Sequence, residues 1–502
     1  MKRQPDFSVL ILFAALLFGG LVRFLPALMT RFPINDGGMF YTMARELSAN
    51  GYALPATTSY NGLSIPFAYP PLGLYLASLL ADLARVPLLG VFLWLPPFFS
   101  LLAIPAFYLL ARALLADKLR ASLAALFFAL APGSYDWHVM GGGVTRSAGM
   151  LFLLLAAFFV FRLFQQGDRR LVLPAILFSS LAVLSHPEVG LHMAGLCLFF
   201  WLSLDRTPRG LLHAFLLAFG VFLLSAPWWG TVLAQHGLSP FLSALHTGQH
   251  SSAAWGALLV GFFVGDEIVP LLLFLRLAGF IYAVWKRQFL LTALVLFPLF
   301  VDPRSAVAIA HIVLSMLAAL GFLDALPALL RKIRGAADWL PRAATPVLAA
   351  LAFTLFIECG LHDFKLVNTT LTADSRAAMT WLRGNLPPGR DFLLLTGWPY
   401  SMSDPVQEWF PALAGQHSQT TLQGLEWTLG AGFNARLSDL VELQSCASAA
   451  CVDAWSARTG LGYDYLWVTK TIPSLEQDLR ASSDYRAVFQ SETVAVFQRV
   501  TK

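Results

Sequence analysis

Eleven runs of mostly apolar residues, many near the length needed to cross a bilayer, constrain this chain more than any motif in it. They lie at about 7–29, 88–114, 119–134, 147–164, 171–186, 188–204, 210–228, 256–285, 288–301, 305–323 and 343–361. The composition fits no soluble globular protein of this size: 57% of the 502 residues are hydrophobic and 13% charged, with a mean hydropathy of +0.66. The expected fold class is a polytopic α-helical membrane protein of about 11 spans. A net charge of +5 with no basic stripe interleaved with aromatics points away from a nucleic-acid partner. The first run follows Met1-Lys2-Arg3-Gln4, is too long for a signal-peptide core and has no small-x-small cleavage site. It reads as a retained span.

The segment from Pro70 to Arg85 decides the orientation. It is marginal in length and closed by Asp82 and Arg85. If it is interfacial and the N-terminus cytoplasmic, Arg112, Lys118, Arg120, Arg162, Arg169, Arg170, Arg206, Arg209, Lys286, Arg287, Arg331, Lys332, Arg334 and Arg342 all fall inside. Counting it as a span inverts every cluster. The expectation is a multi-pass protein of the cytoplasmic (inner) membrane, N-terminus cytoplasmic and C-terminal part extracytoplasmic. The outer side then collects residues 30–87, 132–146, 185–190, 228–255 and 302–304.

After Leu361 the long apolar runs stop, which divides the chain into a transmembrane domain, 1–361, and a soluble α/β domain, 362–502. A helix is expected from Ser375 to Asn385, and strands over 391–396, 465–469, 485–490 and 493–499. Cys197 and Cys359 fall in apolar runs and read as small buried hydrophobes. Cys446 and Cys451 are close in a polar region, and the sequence leaves a disulfide or two thiols equally open.

At the exit of the first span, Asp36 stands alone on an Asn35-Asp36-Gly37-Gly38 turn. The next helix carries Met39, Phe40, Met43 and Leu47 on one stripe, which suits a helix lying on the bilayer. A fixed carboxylate there suits chemistry on a lipid-linked substrate; ordinary turn chemistry is the plainer reading. The second outer loop holds Asp136 and His138, three consecutive glycines and Arg146. Asp-x-His can help hold a divalent metal or donate a proton, and Arg146 suits bidentate phosphate binding, against a merely hydrated loop and a snorkelling arginine. His186 and Glu188 lie near membrane depth, where ionisable groups are functional candidates by default. Arg304, beside Asp302, can reach a phosphate on the same face. Glu408-Trp409 and Glu426-Trp427 read more simply as packing residues than as sugar platforms.

With Asn35-Asp36-Gly37-Gly38-Met39-Phe40-Tyr41 after the first span and Ala68-Tyr69-Pro70-Pro71-Leu72-Gly73-Leu74-Tyr75 closing the first loop, the chain resembles the GT-C superfamily of membrane glycosyltransferases. It is similar to the aminoarabinose, protein-O-mannosyl and oligosaccharyl transferases. The resemblance implies an inverting glycosyltransferase that moves a sugar from a polyprenyl-(di)phosphate donor to a lipid, glycan or protein acceptor at the outer face. It makes Asp36 the catalytic carboxylate and puts Asp136 at the second acidic position, with His138 beside it. Arg146, His186 and Arg304 would then bind the donor phosphate. Some relatives use a divalent ion (Mg or Mn) and others none; Asp136 and Glu188 are the candidate ligands here. The Trp-Trp-Asp signature of oligosaccharyl transferases is missing, which argues against Asn glycosylation. The rival readings are a transporter or flippase of lipid-linked sugars, and a non-catalytic membrane scaffold. A transporter would need charges at mid-membrane, whereas these gather at one face.

Overall fold

The computed structural model describes residues 7–245, 270–302, 305–332 and 336–500. Seven described helices are long and apolar enough to cross a membrane, against the eleven spans expected: Phe7–Thr30 (α1), Leu88–Leu115, Gly143–Gln166, Pro187–Leu204, Pro208–His236, Ala306–Leu330 and Arg342–Val367. The remaining expected spans fall on shorter helices. Lys118–Ala129 has 12 residues, Val172–Ser185 has 14 and Phe289–Val301 has 13. Of segment 256–285 only the part from residue 270 is described, and it carries the 15-residue helix Leu271–Trp285. At 1.5 Å per residue, a helix of 14 is about 21 Å long, short of a hydrocarbon core of about 30 Å.

Prolines account for two of these stops. His186 and Asp302 each precede a proline and take extended backbone (φ −154°, ψ 135° and φ −155°, ψ 104°), because the proline ring disfavours helix at the residue before it. Apolar runs record where the chain is buried, not how far one helix continues. The helix Lys118–Ala129 makes the point: Ala121 to Ala131 are all buried inside the bundle, so protein rather than lipid surrounds it.

The first loop folds onto the bundle. Its helices are Gly38–Ala49 (α2) and Leu72–Ala84 (α3), with a two-stranded antiparallel ladder of Thr57–Thr58 and Ile65–Pro66 between them. The apolar stripe of α2 does not lie on a membrane surface. Met39, Phe40, Met43 and Leu47 are buried in a cluster with Tyr60, Tyr69, Ala412 and Trp427. The periodicity is right and the partner different: protein from the C-terminal part covers that face.

That part is a mixed sheet with helices around it. Going across the sheet, His417–Ser418, Asp391–Leu395 and Tyr465–Thr469 run parallel, then Val494–Arg499 and Tyr485–Gln490 run antiparallel. The helix Pro405–Ala414 (α17, numbering the described α-helices in chain order with Ala306–Leu330 as one) faces α2. It is held at its N-cap by Asp404, whose carboxylate accepts the Val406 N–H. Cys446 and Cys451 form a disulfide.

Candidate functional site

The turn after α1 is bent by two residues with positive φ, Asn35 (55°) and Gly37 (125°). Between them Asp36 is turned into the protein. Its Oδ1 accepts the N–H of Gly142 at 2.8 Å. Arg146, in the first turn of the span Gly143–Gln166 (α7), grips both oxygens: Nη1 to Oδ2 at 2.8 Å and Nη2 to Oδ1 at 3.0 Å. This is the bidentate fork that a planar guanidinium makes with a carboxylate. The side chains are 15% and 19% exposed, so the pair sits at a partly covered edge of the protein rather than in bulk water. Arg146 is itself aimed by Trp137, whose carbonyl accepts from Nε at 3.0 Å and whose ring lies 5.4 Å from the guanidinium carbon.

Three glycines make the close approach possible. A Cβ on Gly141 would stand 1.9 Å from the Asp36 carbonyl oxygen, and one on Gly38 would stand 2.1 Å from that of Glu408. A Cβ on Gly142 would stand 2.5 Å from Asp36 Oδ2 and 2.9 Å from Arg146 Nη2. Gly142→Ala therefore cannot coexist with the ion pair as it stands. We expect the variant to fold, because the conflict is with side-chain ends, and to lose about 10²-fold in turnover, the scale of an ångström-size misplacement. Wild-type turnover in Gly142→Ala would show that the Asp36 geometry is not what limits the reaction.

Tyr69, from the motif that closes the first loop, lies on the same side. Its hydroxyl is 3.4 Å from Thr145 Oγ1, and its ring meets that of His186 edge-on at 5.9 Å. Burial pushes the Tyr69 phenol well above its ordinary pKa, so it stays a neutral hydrogen-bonding group. His186 packs against Gly149, one turn along α7 from Arg146, and Glu188 lies within electrostatic range of Arg146 and Tyr69. The structure thus brings together Asp36, Arg146, His186 and Glu188.

Asp136 Oδ1 accepts the Trp137 N–H at 2.6 Å, and its Oδ2 is 3.8 Å from His362 Nε2 on the last spanning helix. His138 is buried; desolvation, then the charges of Arg146 and Arg23, lowers its pKa to about 3 and holds it neutral. Arg304 lies outside the described residues.

Arg23 carries a signal that the sequence reading passed over: a charged residue inside the first apolar run. It is fully buried, donating to Ser100 Oγ, Gly19 O, Ala129 O and Ser134 Oγ, with its guanidinium 4.8 Å from the Tyr135 ring centre. The Tyr135 hydroxyl donates to Asp363 at 3.0 Å. This network ties α1 to the segment Pro132–Arg146 and to the last spanning helix. Among the described residues, no three His, Cys, Asp or Glu side chains converge as metal ligands. Asp36 has both oxygens engaged by Arg146 and Gly142.

With this geometry in view, the likeness to known proteins is in the fold. No family model matches the chain, and no curated protein matches it. Among solved structures, ArnT from Cupriavidus metallidurans in the apo state superimposes with a TM-score of 0.59 at 17% identity, covering 98% of each chain. The same protein bound to undecaprenyl phosphate gives 0.58 at 16%, covering 99% of each chain. The archaeal oligosaccharyltransferase AglB from Archaeoglobus fulgidus, in complex with an inhibitory peptide and a dolichol-phosphate, gives 0.55 at 15%, covering 100% of this chain and 75% of that one. The chain shares the fold of ArnT and AglB. Identities this low speak for the fold alone, and the chemistry must come from the site.

Proposed function

We propose that the chain is an inverting glycosyltransferase that uses a polyprenyl-phosphate-linked sugar, with a lipid, glycan or protein acceptor, at the outer face of the cytoplasmic membrane. The observation that carries this reading is the Asp36–Arg146 pair, placed at the end of the first span and enclosed by two glycine turns. Two of the solved structures that share the fold hold undecaprenyl phosphate or a dolichol-phosphate, which supports the donor class. The Cys446–Cys451 disulfide supports an extracytoplasmic C-terminal part, since such bonds persist in oxidising compartments.

In this mechanism the acceptor hydroxyl oxygen attacks the anomeric carbon from the face opposite the phosphate. The bond from that carbon to the phosphate oxygen breaks, and its electron pair leaves with the polyprenyl phosphate. Asp36 takes the hydroxyl proton as general base. Arg146 holds the Asp36 carboxylate aimed. Three of its five N–H groups are used by Asp36 and Trp137, and the remaining two are available to the departing phosphate. His186, at the same edge, is placed to hydrogen-bond the same oxygens.

The test is transfer from radiolabelled polyprenyl-phosphate sugars by the purified chain in liposomes, with extracted membrane lipid and glycan as acceptors, run with and without EDTA. Appearance of labelled product with inverted anomeric configuration is the expected result. Retained configuration would overturn the single-displacement mechanism, and no transfer from any such donor would overturn the activity. Because Asp36 already has its counter-charge from Arg146, we expect transfer to survive the chelator; loss restored by Mg or Mn would place an ion at the site.

A further inference from the structure

The C-terminal sheet domain reaches the Asp36 turn through two consecutive residues of α17. Glu408 is 3% exposed, and its Oε1 accepts the N–H groups of Gly37 (3.2 Å) and Met39 (3.1 Å). Its carbonyl oxygen accepts the Tyr60 hydroxyl at 2.6 Å. The next residue, Trp409, is fully buried and donates its indole N–H to the Asn35 carbonyl at 2.9 Å. Residues 35, 37 and 39 are thus held on both sides of Asp36 by groups that do not touch the Asp36 carboxylate. The fit leaves no slack at Gly38, where any Cβ would strike the Glu408 carbonyl.

We propose that Glu408 is a positioning residue for Asp36, through which the docked C-terminal domain aims the carboxylate that the membrane domain uses. This rests on the reading of Asp36 given above. The carboxyl group does a job that a backbone loop would not, since one oxygen serves two amides at once and fixes the start of α2 relative to the turn. Its other oxygen, Oε2, is buried without a hydrogen-bond partner among the described residues. An ionised carboxylate in that place is costly. The titratable groups facing it are Asp36 from the turn, Tyr60 from the first loop and Glu426 from the turn Leu425–Trp427. Arg146 lies beyond Asp36 and is bound to its carboxylate. Burial, then the charge of Asp36, raises the Glu408 pKa to about 8, despite the two amides that favour ionisation.

The sign follows. From the ordinary glutamate range up to about 8, the folded protein holds a proton that the unfolded chain has released. The folded state therefore loses stability as pH rises through that window, and ionisation as pH passes about 8 sets a second negative charge beside Asp36. Transfer should fall on the alkaline side for this reason.

The experiment compares wild type with Glu408→Ala and Glu408→Gln in the full chain in nanodiscs, reading transfer kinetics and amide hydrogen exchange of peptides covering residues 33–40. Glu408→Ala is expected to lower kcat about 10²-fold with little change in donor KM, and to speed exchange in that segment. Glu408→Gln keeps the acceptor oxygen and cannot ionise. It should restore most of the rate and stay flat from about pH 7 to 9, where wild type declines. Should Glu408→Ala fail to assemble, Glu408→Asp, one methylene short, takes its place. Wild-type kcat and wild-type exchange in the Ala (or Asp) variant would overturn the proposal, as would an unaltered alkaline decline in Glu408→Gln. If wild type transfers no sugar from any donor, the functional reading falls on its own account. The exchange comparison then decides the clamp, with faster exchange supporting it and unchanged exchange overturning it.

Discussion

Asp36→Asn should lower sugar transfer by about 10³-fold or more, within the range seen when a general base is lost, while the protein still assembles in the membrane. Asn has the shape of Asp, and its Oδ1 can keep the Gly142 N–H bond. What it cannot do is accept a proton or offer two anionic oxygens to Arg146. Its amide would face one guanidinium nitrogen, donor against donor. Removing one partner of a buried ion pair costs about 3–5 kcal/mol, and partial exposure of this pair should bring the cost nearer 1–3 kcal/mol. Thermal unfolding in detergent will read that as a modest fall in Tm. The informative outcome is a protein that unfolds a little earlier and transfers nothing. Transfer within a few-fold of wild type, at equal protein level, would remove Asp36 from the chemistry.

Arg146→Lys should have the second largest effect, about 10²-fold in kcat, although the charge is kept. An ammonium group is a point charge on a flexible stem. It cannot hold both Asp36 oxygens while also bonding the Trp137 carbonyl and lying on the indole face. The paired variant separates two roles for the arginine. If Arg146 acts only by aiming Asp36, adding Arg146→Lys to Asp36→Asn lowers the residual rate no further. If its free N–H groups also hold the donor phosphate, Arg146→Lys raises the donor KM in either background. An additive loss with no KM effect would contradict both roles.

Part of this site could be read from the chain because its signals are local. An Asn35-Asp36-Gly37-Gly38 turn at the end of an apolar run places a carboxylate at a membrane edge whatever else the protein does. The triple glycine before Arg146 announces a close backbone approach without naming what approaches. Other parts were legible in kind but not in partner. The stripe on α2 was real, and the surface that covers it comes from residues such as Ala412 and Trp427 rather than lipid. Asp136, expected as a second acid of the site, has its carboxylate 3.8 Å from His362 on the last spanning helix, a partner no local pattern names. Trp409 was read as packing and is so, with the added work of bonding Asn35. Glu408 beside it gave no sign, because nothing in a helix start distinguishes a carboxylate that caps a distant helix from one in water.

What the sequence determined by itself is the class: apolar runs that must leave water, a change of composition near residue 361, strands of alternating and buried character near the end, and one acid at the first exit. Those follow from hydrophobic burial and backbone propensity, which act residue by residue along the chain. Tertiary structure alone decided how many of the runs became full-length spans, which arginine closes on Asp36 from 110 residues away, and which carboxyl group holds Gly37 from 371 residues away. Those choices depend on directional hydrogen bonds and close glycine contacts, which act only over a few ångströms once the helices have packed. No local pattern carries that distance.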